Sequence, residues 1–592
     1  MASHSRIASR NHRSLALIGS VHSGSSVGPS FSSASGFTVS DASSPSARAR
    51  TAVIYTWAQL FRISAFAYLI LLALLVCVSL ALNEQTLVYS LDDPYIHLSL
   101  ARTWLRSHTI GISPGQFAPA SSSPAWTLLL TTCTWLVGLH DWVPLALNVV
   151  CALATLAVFW WGRAQLRGID RDEEPAFTRF GAAVPRWPLI AAALPILLNL
   201  LGLTLCGMEH VLHAALVLAF TVTLWRGLAS SIRLAPFLLA VVLPLVRLES
   251  MFVIAAAALI SLRHRKWFTA IGLLACAGLP VLMLGVWTHA HGAFFLPNPI
   301  VAKAVPPQLD ALLSKWGYTL LGLLVHPLLV VILGWSLVYR RNHAGLAADG
   351  FLFCFVIAAL HVVLSTVGGI GLIDRYETYV VDLGLLFVFS SDRQAIATAP
   401  SSDGVPLRSR WTAKFERGLV FAGLLERLCL LGTATFATND IYEQQYQTAR
   451  FVQQEFLHGS VAVNDIGLVS LRSEGTITDL AGLGSTDVLR ALRHGTDTRD
   501  LSLAALGPIV ERNGADMIAI YTAWFSPRLY AHWQHVASWS LPRPPIVVGD
   551  ARVDFFAPDV RRARELERRM RAFEPQLPKN VRVAYPRGDD AR

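Results

Sequence analysis

Long apolar runs recur along this chain between residues 62 and 436, parted by short polar or basic loops. About 20 apolar residues span the hydrocarbon core of a bilayer. Backbone placed there must close its hydrogen bonds within the segment, which restricts such a chain to a bundle of helices. About twelve segments can be read from the pattern: 62–82, 124–139, 143–161, 187–205, 211–225, 236–246, 251–262, 268–287, 318–338, 351–367, 379–389 and 418–436. Several fall short of a full span, and the two flanking Arg247 and Glu249 read as half-length helices meeting at a charged tip. Only 15% of residues are charged against 53% hydrophobic, whereas soluble domains carry roughly 25% charged residues.

Basic residues in short loops stay on the cytoplasmic side. Those at 1–55, 163–186, 226–233, 263–266, 340–341 and 393–417 set that side. Alternation then places Asp92, Asp93, Glu209, Arg247, Glu249, residues 297–303 and residues 374–377 on the opposite face, with the tail after Phe436. A cytoplasmic N-terminus and an external C-terminus need an odd number of crossings. Residues 124–139 are therefore expected not to cross, which leaves about eleven spans. The expectation is a multi-pass protein of a bacterial inner membrane.

The net charge of +10 lies mainly in those loops and reads as topology, so no nucleic-acid partner is expected. The seven cysteines fall in or beside apolar runs without a CxxC spacing, which argues against a disulfide framework or a zinc site. Residues 1–55 hold Asp41 as their only acid and read as a disordered basic arm. A transit peptide has similar composition, and an over-extended start codon would leave the same pattern. The first apolar run begins too late for a cleaved secretory signal, so it reads as a retained anchor. No GxxxxGK[ST] and no strand–GxGxxG–helix unit is present.

Asp92 and Asp93 stand just beyond the first span, where an ionisable group is a functional candidate by default. The alternative is a polar cap that ends the span. Every charged motif without a topological reason falls on the same face as this pair, which points to a site at the non-cytoplasmic surface.

The order of these motifs carries a resemblance. Asp92-Asp93-Pro94-Tyr95-Ile96-His97, with Ala101-Arg102 downstream, follows the first span, and a loop ending Ser121-Ser122-Ser123-Pro124-Ala125-Trp126 comes next. Gly207-Met208-Glu209, Arg247-Leu248-Glu249 and Pro297-Asn298-Pro299-Ile300-Val301-Ala302-Lys303 follow in turn. Over roughly residues 60 to 390 the chain resembles the GT-C superfamily of polyprenyl-phosphate-sugar glycosyltransferases, nearest the arabinofuranosyltransferase-like branch. It departs from that branch in lacking a proline after Arg247 and in carrying Ala118-Pro119-Ala120-Ser121-Ser122-Ser123-Pro124 where relatives show a Glu-Gly-Tyr-Thr-Ser-Pro run.

The resemblance implies an inverting transferase that moves a sugar from a polyprenyl-phosphate donor to a cell-envelope glycan, glycolipid or protein. Matching on Ala101-Arg102 makes Asp93 the catalytic base, with Asp92 beside it to hold the acceptor or a divalent cation. Lys303, Arg247 and Arg375 are the candidates for the leaving phosphate. A snorkelling role competes for Lys303, and a structural ion pair with Glu249 competes for Arg247. Glu209, Glu249, His97, Asn298 and His210 are expected to contact substrate. Glu209 and His213 resemble half of a zinc motif without the full His-Glu-x-x-His, so metal ligands stay unassigned. His289 and His291 fit a lipid-phosphate groove or a plain interfacial position. A flippase of lipid-linked sugars and a non-catalytic scaffold are the competing functions.

The fold class expected is a mostly α polytopic membrane protein with a soluble C-terminal α/β domain: an arm over 1–55, a membrane domain over 56–438 and an external domain over 439–592. In that last part, strands are expected at 461–463, 476–480, 517–521, 546–548 and 553–556, and helices at 446–457, 486–493, 528–536 and 560–573. Asn464-Asp465-Ile466-Gly467 and Asp479-Leu480-Ala481-Gly482 close strands and suit either a binding loop or an ordinary turn.

Overall fold

Thr56 opens the first helix, α1 (Trp57–Leu82), through a capping box: its hydroxyl accepts from the Gln59 N–H and its own N–H donates to Gln59 Oε1. The computed structural model describes residues 55–167, 177–179, 182–184, 186–231, 233–304, 316–317, 327–340, 345–364, 375–390, 407–493 and 501–586. The basic arm, most of the 163–186 loop, the start of the 318–338 segment, much of the 393–417 loop and Asp374 lie outside these residues.

After α1 come α2 (Asp93–Ser107), α3 (Pro124–Val137) and α4 (Val143–Arg167), then a small antiparallel hairpin of β1 (Phe177–Arg179) and β2 (Ala182–Val184). Next are α5 (Arg186–Leu197), α6 (Leu200–Cys206), α7 (His210–Ala229), α8 (Ala235–Val246), α9 (Ser250–Arg263), α10 (Trp267–Ala290) and the short α11 (Asn298–Lys303). The bundle is completed by α12 (Pro327–Arg340), α13 (Gly345–Leu364), α14 (Thr378–Ser390) and α15 (Leu407–Ile441). Among the described residues, six helical segments are long and apolar enough to cross a bilayer unaided, α5 and α6 counting as one, and shorter apolar helices pack beside them. This is a multi-pass membrane protein.

The half-helices α8 and α9 meet at Arg247-Leu248-Glu249. Helix α3, with 14 residues, is about 21 Å long, short of the ~30 Å hydrocarbon core. Its first turn is held by α2, where Ser121 and Thr127 hydroxyls meet His97. Just past its far end, the Asp141 carbonyl accepts from Tyr89 and its carboxylate pairs with Arg472 of the C-terminal domain. Both ends of α3 are thus tied to the side that carries α2.

The long α15 runs into a π-helical turn (Tyr442–Tyr446) and then α16 (Gln447–Glu455). A six-stranded sheet follows, in the order β4-β3-β5-β7-β6-β8. Strand β3 (Ser460–Val463) pairs in parallel with β4 (Thr476–Asp479) and β5 (Met517–Ile520). Strands β6 (Gln534–Ser540), β7 (Arg552–Ala557) and β8 (Arg582–Ala584) add in antiparallel fashion. The helices here are α17 (Gly467–Arg472), α18 (Thr486–Arg493), α19 (Leu501–Arg512), α20 (Pro527–Tyr530) and α21 (Val560–Phe573).

Two expected elements fall elsewhere. Residues 546–548 form a loop, because the Ile546 N–H donates to Asp440 rather than to a ladder and Pro544 and Pro545 precede it. The helix expected over 528–536 stops at Tyr530, since Gln534–Ser540 is captured between β7 and β8.

Two cores matter for the site. One fills the helical bundle around Tyr68, Trp160 and Phe220. The other runs without a break from Tyr95, Leu98 and Trp126 of α2 and α3 into Val461 and Phe555 of the sheet. Residues Ala52–Arg592 accordingly form one unit, with the sheet packed onto the helices rather than tethered to them.

Candidate active site

Loops between helices converge on one cavity of about 320 Å³. Asp93 lines it from the first turn of α2, Arg247 and Glu249 from the α8–α9 tip, Lys303 from the end of α11, and Arg375 and Tyr376 from the turn before α14. His210, at the start of α7, also faces it, as do the apolar side chains of Leu248, Met251, Phe252, Ile300 and Leu364. Gly207 makes the α6–α7 turn possible. Its φ is +69°, and a Cβ there would stand 2.6 Å from the Tyr89 ring.

Asp93 is half-buried, and Arg375 Nη1 donates to its Oδ2 at 2.9 Å. Burial pushes this carboxyl up, but the fields of Arg375 and Lys303 and the Arg375 hydrogen bond outweigh it and hold the group below the usual carboxylate range. Arg375 also donates to the Tyr376 hydroxyl at 3.0 Å. Tyr376 lies between two guanidiniums, 5.0 Å from Arg247 and 4.9 Å from Arg375. Arg375 Nε is buried without a hydrogen-bond partner among the described residues.

Arg247 is committed inside the protein. Its Nη1 donates to Glu209 Oε1 and its Nη2 to Glu249 Oε1, both at 2.6 Å, and His210 Nε2 lies 3.1 Å from Nη1. Two carboxylates neutralise it, so it fixes the α7 and α8–α9 tips more than it offers charge to a ligand. Lys303 is different: it is exposed, and among the described residues it has no ion pair or hydrogen bond. Among the described residues it is a cavity cation without a carboxylate partner.

The other expected residues sit outside the cavity wall. His97 is buried behind Asp93, bonded to Thr127 Oγ1 at 2.8 Å and to Ser121 Oγ at 3.2 Å, with Glu209 Oε2 at 4.0 Å. Burial keeps His97 below its ordinary range despite the pull of Glu209 and Asp93. Glu209 is itself fully buried, and its Oε2 lacks a hydrogen bond among the described residues. Asn298 faces the sheet domain, its amide donating to Leu483 O at 3.2 Å and to Thr486 Oγ1 at 3.1 Å. His291 packs at a tilt against Phe117 and Trp287 and does not line the cavity.

Asp92 requires correction. Its expected place beside Asp93 over substrate is not where its carboxylate lies. At the N-cap position of α2 the Asp92 carboxylate makes no bond to its own helix. It accepts instead from the N–H groups of Gly467, at 2.5 Å, and Leu468, at 2.8 Å. Successive side chains at a helix start diverge, so Asp93 faces the cavity while Asp92 faces the sheet domain. Burial pushes Asp92 well above the carboxylate range, and the Asp465 carboxyl beside it pushes the same way. Burial raises Asp465 as well, against hydrogen bonds from Gln445 and Tyr521.

A divalent cation does not fit between Asp92 and Asp93, because one carboxylate is turned away and the other is met by a guanidinium. Among the described residues no group of three or more His, Cys, Asp or Glu side chains is placed to hold a metal ion.

Residues 439–556 match a family model described as a domain of unknown function, DUF8728. No curated protein matches the chain. In structure the chain is similar to ArnT from Cupriavidus metallidurans bound to undecaprenyl phosphate, with 13% identity, 84% of this chain and 98% of that one covered, and a TM-score of 0.45. It is also similar to the arabinofuranosyltransferase AftD from Mycobacteria, with 14% identity, 86% of this chain and 40% of that one covered, and a TM-score of 0.41.

Tyr376 was missed in the sequence, and its signal is weak: an aromatic residue next to Arg375 at the mouth of a span. Ser121, which holds His97 together with Thr127, lies in the serine run that carries the resemblance, whereas Thr127 carries no signal of its own.

Proposed function

We propose that this protein is an inverting glycosyltransferase, taking a sugar from a polyprenyl-phosphate donor and passing it to a cell-envelope glycan, glycolipid or protein at the outer face of a bacterial inner membrane. The observation that carries this reading is one cavity bounded by an ionised carboxylate, Asp93, and by two cations, Lys303 and Arg375, with apolar walls beside them. In the reaction, Asp93 takes the proton of an acceptor hydroxyl as that oxygen bonds the anomeric carbon. The bond from that carbon to the phosphate oxygen breaks on the opposite side, and its electron pair leaves with the phosphate. Lys303 and Arg375 hold the charge that develops there. Leu248, Met251, Phe252 and Ile300 suit the first prenyl units, and the seating of Asp92 on Gly467 and Leu468 supports a C-terminal domain on the same side as the cavity.

Arg375 has two partners to choose from. In the free protein it is bonded to Asp93; a donor phosphate competes for it and thereby returns basicity to the carboxylate.

Transfer from a synthetic polyprenyl-phosphate sugar, with the full chain in lipid nanodiscs, tests the reading. Asp93→Asn is expected to cut turnover by about a hundredfold or more. Near-normal turnover of that variant would overturn the role of Asp93. Mass spectrometry of surface glycans from a deletion strain identifies the sugar by the missing residue mass.

A further inference from the structure

Asp93 and Lys303 reach the cavity from different parts of the membrane domain, and neither is held by that domain alone. Asp93 begins α2, and the residue before it is seated on the start of α17. One helix face further along, Arg102 of α2 donates to the carbonyls of Ser470 at 2.9 Å and of Leu471 and Ser473 at 2.7 Å. The six-residue α17 therefore has its first N–H groups met by the Asp92 carboxyl and its last carbonyls met by the Arg102 guanidinium, both supplied by α2.

Lys303 ends α11, a helix of six residues, too short to hold itself. The sheet domain holds it at both ends. Asn298 is bonded to Leu483 and Thr486, and the Arg493 guanidinium donates to the carbonyls of Val301 and of Ala304, the latter at 2.8 Å.

We propose that the C-terminal sheet domain is a working part of the catalytic site, gripping α2 through Asp92 and α11 through Asn298 and Arg493 and so setting the position of Asp93 relative to Lys303. This rests on the sugar-transfer reading and deepens it. Asp92, Gly467, Asn298 and Arg493 are positioning residues, and none of them lines the cavity. Gly467 shows how tight the grip is. A Cβ added there would lie 2.0 Å from the main-chain oxygen of Asp92 and 2.6 Å from its carboxyl carbon. Backbone must move to admit it, and that movement passes directly to the next residue, Asp93.

The test uses the full chain in nanodiscs with Gly467→Ala, Arg493→Ala, Arg493→Lys and, as a control on the same domain, Gly507→Ala, where an added Cβ meets nothing within 4 Å. Displacing a catalytic group by about 1 Å costs about a hundredfold. Gly467→Ala is therefore expected to lower kcat by about that factor with the donor KM little changed. Arg493→Ala is expected to raise the donor KM and lower kcat about tenfold, and Arg493→Lys, which can still donate to both carbonyls, to recover most of the loss. Hydrogen exchange is expected to rise at residues 92–98 in the first variant and at 298–304 in the second.

Wild-type kcat in folded Gly467→Ala and Arg493→Ala would overturn the proposal. Should Gly467→Ala fail to fold, Arg493→Ala and its lysine rescue decide alone. If the wild-type chain transfers no sugar from polyprenyl-phosphate donors, the sugar-transfer reading falls. Exchange at 298–304 in Arg493→Ala then decides the grip: unchanged exchange refutes it, and faster exchange upholds it.

Discussion

Asp93 shows how one carboxylate can be ionised and yet restrained. Because Arg375 and Lys303 hold its pKa below the carboxylate range, the charged form persists as pH falls until that lowered value is passed. The acid limb of kcat/KM for the free protein is therefore expected below about pH 4. Arg375→Ala removes one of the opposing fields and leaves burial to act, so the limb should move upward; a pH–rate profile of that variant checks the sign. Lys303→Ala should cost about 10²–10³ in kcat if, as proposed, this lysine holds the leaving phosphate. Arg247→Ala should act differently, leaving Glu209 buried without its partner and lowering the unfolding temperature along with activity.

At the scale of elements, the short helices matter more than the long spans. Arg102→Ala strips three carbonyls at the end of α17 of their donor and should destabilise the protein by about 2 kcal/mol or more. Thermal unfolding in detergent measures this. The expected helices at 486–493 and 560–573 lie where the structure has α18 and α21, because their apolar spacing is strongly periodic. Segments 528–536 and 546–548 depend on strand partners in β7 and β8 or on the Asp440 side chain, all well outside the local window, and local pattern does not carry that information. Likewise, Arg247 reads in sequence first as a phosphate clamp, with a structural pair as the alternative; its two carboxylate partners at 2.6 Å favour the pair.

Across the whole molecule, the membrane helices and the sheet meet at the buried Asp92 and the half-buried Asp465, whose carboxyls act on one another. Their pKa values are raised in the folded state, so the folded chain holds a proton that the unfolded chain has released above about pH 4. Their contribution to stability is present below that pH and is lost as pH rises through the raised values. The charge of Asp93 on α2 also raises Asp465, and the Tyr521 hydroxyl on the sheet side donates to it. Asp465→Asn should flatten the fall in unfolding temperature as pH rises above the ordinary carboxylate range, as followed by thermal melts of the full chain.

The sequence alone determined that this chain lies in a membrane, since apolar runs of that length leave the backbone no other way to satisfy its hydrogen bonds. It also brought the charged motifs to one face, because alternation of spans depends only on order along the chain. Which of two adjacent acids faces the cavity was decided by tertiary structure. Asp92 and Asp93 are chemically alike and differ only in direction, and direction is set by Gly467 and Leu468 on one side and Arg375 on the other, all more than 280 residues away in the chain.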